Sequence, residues 1–464
     1  MVQNILSKSY NNIDVGLIPD QIDFIIREDI LKATEEDSTI WTCPDYNRRE
    51  YIHSFFQYPA MMIPAVQKKL IDIVVAAKPD IQHMIDPFMG SATTLVACME
   101  NSLNCYGQDV NPLAILIAKA RTGPYYTDAI KSKQAELMAK IREDRSDAIE
   151  ADFKGLYKWF KPEIAIGLSK IVREIRKENN LIIRRFLWVV LAETVRVSSN
   201  DRTSTFKLHI RTKEQIDQRS LSVINIFELH LERCLDDYES HADLLSKNGQ
   251  LYNGIYKSTV DIRLSDSKSN IYSPTGSGFY DLLVTSPPYG DNKTTVTYGQ
   301  HSYLPLQWID LEDIDSNANK DFLKTTSEID TRALGGKLSD INKEKLNELF
   351  KISPSLKATH DFVSETSISK VRKVDAFLLD LSETIDKIFE VMKVNSYQIW
   401  TLGNRRVGGI EIPNDQIIRE LIESKGGKLV TQLEREIINK RMARRNNNSS
   451  LMNTEDILIF RKLG

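Results

Sequence analysis

The sequence predicts an α/β protein built on a doubly wound sheet, and two features carry that prediction. Residues 81–85 (IQHMI) form a short apolar run that ends in Asp86-Pro87 and a Gly/Ser/Thr turn. A stretch with Leu95, Val96 and Met99 on one helical face follows, then a second run (NCYGQ) reaching Asp109 and the helical segment NPLAILIAKA. Strand, turn, helix, strand, helix is the opening of a doubly wound sheet. The second feature lies downstream. Strand-like runs return at 258–264 (STVDIRL) and 281–285 (DLLVT), then at 396–401 (SYQIWT) and 455–460 (EDILIF). Before the last two runs lies an amphipathic helix with Phe377, Leu378, Leu381, Ile385, Ile388, Phe389 and Met392 on its inner face.

Between these halves the period changes. Ile164, Leu168, Ile171 and Ile175 recur at helical spacing, as do Leu221, Ile224, Phe227, Leu231 and Cys234. The expected organisation is therefore 1–122 and 251–464 as two parts of one catalytic domain. Residues 123–250 form a mainly helical insertion, and 290–370 a polar one.

Composition narrows the class. With 464 residues, 41% hydrophobic and 27% charged, the chain is expected to be a soluble globular protein of two or three structural units. No apolar stretch reaches the roughly 20 residues of a membrane span. The first residues also lack the pattern of a signal peptide, so a cytoplasmic location is expected. Cys43, Cys98, Cys105 and Cys234 show no metal-like spacing and read as reduced thiols. A net charge of -3 gives no global basic excess, so positive charge for nucleic acid must be concentrated locally.

Two constellations carry chemistry. In Asp86-Pro87-Phe88-Met89-Gly90-Ser91-Ala92-Thr93-Thr94, Gly90 allows close passage of the backbone past a ligand. Ser91 or Thr93 is placed to cap the next helix, whose N-terminus favours a carboxylate. Asp109, at the end of the following strand, stands where a carboxylate accepts ribose hydroxyls. Such a turn alone suits nicotinamide or flavin nucleotides too, or an ordinary strand–helix connection. The absence of GxGxxG argues against a dinucleotide.

The second constellation is Ser286-Pro287-Pro288-Tyr289, at the end of a buried strand; two prolines force the backbone out of the ladder there. The lone pair of a nucleobase amino group is delocalised into the ring. Acceptors aimed at its two N–H groups favour a tetrahedral nitrogen and free that lone pair. The Ser286 hydroxyl and the Pro287 carbonyl are candidates for those acceptors, and Tyr289 for a flat surface under an extruded base. An activated methyl donor leaves mainly positioning and electrostatics to the protein, and the chemistry calls for no metal. The alternative is a strand ending in a proline turn with a core tyrosine.

Together, DPFMGSATT and TSPPYG resemble the amino-methyltransferase family of DNA-modifying enzymes, which includes restriction-modification methylases. The resemblance covers about 45–122 and 255–464. It implies a seven-stranded, mostly parallel sheet whose last pair is antiparallel, with EDILIF as a reversed edge strand. It implies S-adenosyl-L-methionine as cofactor, held by Asp86, Phe88, Gly90, Ser91, Thr93 and Asp109. Tyr58 and Pro59, in YIHSFFQYPA, match the segment over the methionine end, and Asp266 matches the acidic residue near the adenine. Ser286 in first position is associated in the family mainly with cytosine N4, and Asp there with adenine N6. The family usually has Gly where Ala92 stands. GDNKTTVTYGQ and Gly403-Asn404-Arg405-Arg406 also look like members of the family.

The implied activity is site-specific transfer of methyl to cytosine N4 of double-stranded DNA in restriction-modification. The partners are the duplex and, where the system is complete, a cognate restriction endonuclease. Alternatives are adenine N6, RNA, and an inactive nucleic-acid-binding module. Arg202 and Lys207, among other cations and hydroxyls, suit phosphate contacts, or else the solvated end of a helix. Lys440, Arg441, Arg444 and Arg445 form a denser cluster, read as backbone contact over a solvated face.

Overall fold

Seven strands pair into one sheet, and those buried on both faces take its centre. A computed structural model describes residues 17–44, 51–407, 409–437 and 454–464. The strands are β1 (His83–Asp86), β2 (Asn104–Asp109), β3 (Val260–Leu264), β4 (Tyr280–Thr285), β5 (Met392–Leu402), β6 (Gly427–Glu436) and β7 (Thr454–Lys462). Their spatial order is β6-β7-β5-β4-β1-β2-β3. β3, β2, β1, β4 and β5 run parallel, and β7 is antiparallel to both β5 and β6. β4 is buried at every position, as a central parallel strand must be.

Successive side chains divide between the two faces. Met84, Leu282, Val284, Ile399, Ile457 and Ile459 join one core. Ile85, Leu283, Trp400, Leu458 and Phe460 join the other. The first face is covered by α1 (Pro19–Glu36), α2 (Pro64–Ala77), α3 (Thr93–Met99) and α4 (Pro112–Arg121). Residues 123–250 add α5 (Thr127–Glu143), α6 (Pro162–Arg176), α7 (Leu181–Ser198) and α8 (Val223–Lys247). Phe186 of α7 and Leu231 of α8 belong to the same apolar cluster as the sheet's first face, so these helices extend that core. α9 (Tyr298–Leu306), α10 (Lys343–Ile352) and α11 (Pro354–Thr366) follow β4. α12 (Ile368–Val391) and α13 (Asn414–Ser424) complete the second face; Phe377, Ile385 and Ile418 pack there.

One expectation needs correction. EDILIF is reversed, but it is not the edge: β7 lies between β5 and β6. The reason is visible in its burial, continuous from Asp456 to Arg461, whereas β6 is only intermittently buried and takes the edge. The alternating charges of GKLVTQLERE concealed β6 from a search for apolar runs. Cys98, Cys105 and Cys234 are buried free thiols, and Trp159 and Trp400 are buried core residues. Among the described residues no helix is long and apolar enough to cross a membrane.

The sheet order reverses direction between β1 and β4, which makes that junction a topological switch point. Ligands of open α/β sheets bind outside the carboxyl ends of the strands at such a point. The turn after β1 carries Gly90 and the turn after β4 carries Ser286. The two loops therefore start side by side.

A buried ion pair fastens α1 to the antiparallel end. The Asp23 carboxylate accepts from Arg461 Nε at 2.8 Å and Nη2 at 3.0 Å, from Tyr397 Oη at 2.8 Å and from Lys428 Nζ at 2.9 Å. Removing Asp23 leaves the buried Arg461 guanidinium with only the exposed Asp20 carboxylate as counter-charge. Asp23→Ala is expected to lower unfolding free energy by about 3–5 kcal/mol, read from urea denaturation.

Candidate active site

A cleft opens at the switch point, and both sequence constellations line it. Its walls include Tyr58, Pro59, Phe88, Gly90, Ser91, Thr93, Asp109 and Asp266 from the cofactor constellation, and Ser286 and Pro288 from the proline turn. Three predicted residues stand back from the cleft: Asp86, Pro287 and Tyr289. Pro287 is buried behind it, and Asp86 is fully buried beneath it.

Asp86 holds the two loops together. One carboxylate oxygen accepts from Thr94 Oγ1 at 2.6 Å, in the helix after the first loop. The other accepts from Thr285 Oγ1 at 2.7 Å, the last residue of β4, and from the Phe88 amide at 3.0 Å. These bonds favour the charged form, but burial outweighs them and pushes the carboxyl up to about 6. Its contacts within the protein are those of a positioning residue.

The cofactor side is built from backbone and buried polar groups. Gly90 has φ +49°, and an added Cβ would sit 3.4 Å from the Tyr58 ring. Its amide donates to Asp109 Oδ2 at 3.0 Å, and the Asn111 amide donates to Oδ1 at 2.8 Å. Burial pushes the Asp109 carboxyl up to about 6 as well, against those two amide bonds. The expected side-chain cap does not form. α3 begins after Ala92, which adopts φ +68° without a side-chain cap bond. Among the described residues Ser91 Oγ is buried with no protein partner. This orphan hydroxyl, the close backbone at Gly90 and the Asp109 carboxylate fit a nucleoside with a polar tail. The Asp266 carboxylate is held at the cleft rim by the Lys268 amide at 3.0 Å and by Ser269 Oγ at 2.9 Å.

Several supports were not singled out from the sequence. Arg121, fully buried, donates to the Ser91 carbonyl at 2.7 Å and to the carbonyls of Phe56 at 3.0 Å and His53 at 3.2 Å. It therefore binds the Gly90 loop to the segment that delivers Tyr58. Tyr58 Oη accepts from Asn111 Nδ2 at 2.9 Å, and its ring stacks on Tyr298 at 5.6 Å. Gln108 donates to Ser267 Oγ at 3.0 Å and to the Asn270 carbonyl at 2.8 Å, fixing the Asp266 loop. Their only sequence signal is polarity inside or beside an apolar element.

The second constellation is braced from the C-terminal half. Asn414 Nδ2 donates to the carbonyls of Tyr289 at 3.1 Å and Gly403 at 2.8 Å. Arg405 presses on Gly290, where a Cβ would lie 1.9 Å from Nη1, and donates to Asp291 at 3.4 Å. Among the described residues no donor meets the Pro287 carbonyl. Asn292 lines the cleft with its Oδ1 buried and unpartnered. One end of the cleft thus offers a carboxylate and a free hydroxyl; the other offers hydrogen-bond acceptors beside a proline turn.

Arg202 and Lys207 are exposed on a loop beside this region. The Leu208 amide donates to Gln300 Oε1 at 3.0 Å, and Thr297 Oγ1 donates to the Phe206 carbonyl at 3.5 Å. Lys440, Arg441, Arg444 and Arg445 lie outside the described residues.

No protein-family model matches the chain. Among curated proteins, it is 33% identical over 438 residues to the Type II methyltransferase M.MvaI of Kocuria varians, covering 90% of this chain and 92% of that protein. It is 23% identical over 323 residues to the Type II methyltransferase M.MjaII of Methanocaldococcus jannaschii, covering 52% of this chain and 60% of that protein. It is 22% identical over 386 residues to the Type II methyltransferase M.AvaI of a Nostoc species, with 75% and 74% covered.

Burial of Asp86 sets a pH dependence. Its carboxyl titrates at about 6 when folded and near 3.8 when exposed, so the folded state holds the proton more tightly. That contribution to stability is complete below about 3.8 and is lost as pH rises through about 6. Relative to Asp86→Asn, the wild-type protein should lose on the order of 3 kcal/mol across that window and no more above it. Urea unfolding of both proteins at a series of pH values checks this.

Proposed function

The chain belongs to the Type II methyltransferases, and within that family we propose that it methylates cytosine N4 in double-stranded DNA. It is a restriction-modification DNA methyltransferase whose methyl donor is S-adenosylmethionine. The observation that supports methyl transfer to a base amine is the cleft shared by the Gly90 and Ser286 loops. A donor on one loop and a target amine on the other can meet only if the two loops open together. Adenine N6 remains an outcome of the test below.

Bound S-adenosylmethionine supplies a methyl group already activated on a sulfonium. Gly90, Ser91 and Tyr58 suit its amino-acid end, Asp109 the ribose hydroxyls, and Asp266 and Phe88 the adenine. On the opposite wall, Ser286 Oγ and the Pro287 carbonyl accept from the two N–H groups of an extruded base. That draws the nitrogen toward a tetrahedral geometry and presents its lone pair. The Ser286 hydroxyl supports cytosine, by resemblance to the serine-bearing members of the family. Pre-set acceptors in a walled cleft do this without reorganising during transfer.

The division of the chain follows. Residues 1–122 and 251–464 supply the catalytic sheet, and 123–250 and 290–370 supply the surfaces for DNA. Arg202 and Lys207 are exposed without an ion pair among the described residues, next to the segment leading from Ser286 into α9. Such cations position a duplex by its phosphates. Lys440, Arg441, Arg444 and Arg445 join them in this reading.

Incubation with tritiated cofactor and duplex DNA, single-stranded DNA or RNA, followed by digestion to nucleosides, identifies the product. Label on N4-methylcytosine from the duplex is expected; label on N6-methyladenine overturns the choice of base. Asp109→Ala should weaken cofactor binding about 10- to 100-fold by calorimetry, the loss of charge-assisted hydrogen bonds. Ser286→Ala should lower turnover about 100-fold while leaving cofactor affinity near wild type.

A further inference from the structure

Tyr289 does not end in the cleft. Its hydroxyl donates to Glu455 Oε1 at 3.0 Å, on β7, and Glu455 is paired with Arg435 on β6. Ser286 Oγ in turn donates to Tyr289 Oη at 3.3 Å. The direction of this chain is dictated by its last member. A carboxylate has no hydrogen to give, so it takes the one hydrogen Tyr289 possesses. Tyr289 Oη can then only accept, and the hydrogen it accepts is that of Ser286. With its hydrogen committed to Tyr289, Ser286 presents lone pairs to the cleft it lines. Arg435 is 7% exposed and Glu455 13% exposed at the side chain, and their ion pair fixes the carboxylate at the base of the chain.

We propose that Glu455 is a positioning residue that acts through Tyr289 to hold Ser286 as an acceptor toward the target amine. The inference rests on the reading of Ser286 as the residue that meets the base. It adds a buried ion pair on β6 and β7, remote from both motifs in sequence, to the machinery of that serine. A hydroxyl free to rotate would spend part of its time with hydrogen facing the amine. In that state it repels the N–H it should accept and competes for the lone pair that must attack. The Glu455–Tyr289 chain removes that state. It also explains why the aromatic residue of the motif is tyrosine here: phenylalanine would offer a ring but no link to Glu455.

Glu455→Gln is the discriminating substitution, because it preserves shape and reverses polarity. A carboxamide can donate to Tyr289 Oη, so Tyr289 can donate to Ser286 and Ser286 can turn its hydrogen into the cleft. Glu455→Gln is expected to lower kcat for DNA methylation about tenfold or more, with KM for DNA and cofactor affinity near wild type. Tyr289→Phe cuts the chain, so adding Glu455→Gln to it should cost nothing further. Single-turnover rates of the four proteins form the cycle. Equal losses from Glu455→Gln in the wild-type and Tyr289→Phe backgrounds would mean a merely structural role and overturn the proposal. So would an unchanged kcat in Glu455→Gln. Should Glu455→Gln fail to fold, Tyr289→Phe alone decides: a kcat equal to wild type overturns the proposal, and a fall with unchanged KM supports it. The base labelled by the wild-type enzyme tests the choice of cytosine independently. The ratios among variants test only the chain behind Ser286.

Discussion

A single buried carboxylate joins the halves of this active site. Asp86 ends β1, yet its two oxygens reach forward to Thr94 in α3 and sideways to Thr285 at the end of β4. The sheet order makes this possible, because β1 and β4 are neighbours at the point where the winding reverses. Placing a carboxyl in a fully buried position is unfavourable, as its raised titration point records. Three directed hydrogen bonds offset part of that cost and fix where both loops leave the sheet. The loop bearing Gly90 and the loop bearing Ser286 then have one relative position, which methyl transfer between them requires.

The same device recurs around the cleft. Loops that carry glycine and proline leave carbonyls without ladder partners, and buried polar side chains from elsewhere supply donors. Arg121 from α4 reaches carbonyls on both the Ser91 turn and the Phe56 segment. Asn414 from α13 reaches the carbonyls after both β4 and β5. Gln108 secures the loop that carries Asp266. Irregular backbone is thereby given fixed geometry by residues that do not line the cleft. The Pro287 carbonyl, lacking such a donor among the described residues, stands apart as the acceptor left open.

Helical residues between 123 and 250 do more than hang from the catalytic sheet. Their apolar faces continue the core beneath β1, β4 and β5, through Phe186 and Leu231. The loop after α7 consequently lies against α9, close to the cleft wall formed by Tyr298. The surface proposed for DNA is in this way held in register with the Ser286 turn by shared packing.

Local pattern was enough to reveal β1, β2, β4, β5 and α12, because each buries a continuous apolar run or stripe. It also revealed both loops, since glycine and paired prolines constrain the backbone wherever they occur. Tyr58, Gly90, Ser91, Asp109, Asp266 and Ser286 could all be named as candidates for one site. Their meeting in one cleft could not be read off, since about 195 residues separate the two turns. Ser91 was expected to cap a helix that instead starts after Ala92 in a left-handed conformation. Strand β6 escaped notice because an edge strand needs only intermittent apolar positions. The reversed strand proved interior because continuous burial of β7 is satisfied only between two neighbours. The sequence by itself thus determined which residues are chemically able to act. Tertiary structure decided which of them touch: strand order brought Asp86 to Thr285, and the antiparallel pair brought Glu455 to Tyr289. The physical reason is that a side chain's chemistry is local, whereas hydrogen-bond partners far apart in the chain are selected by how the sheet packs.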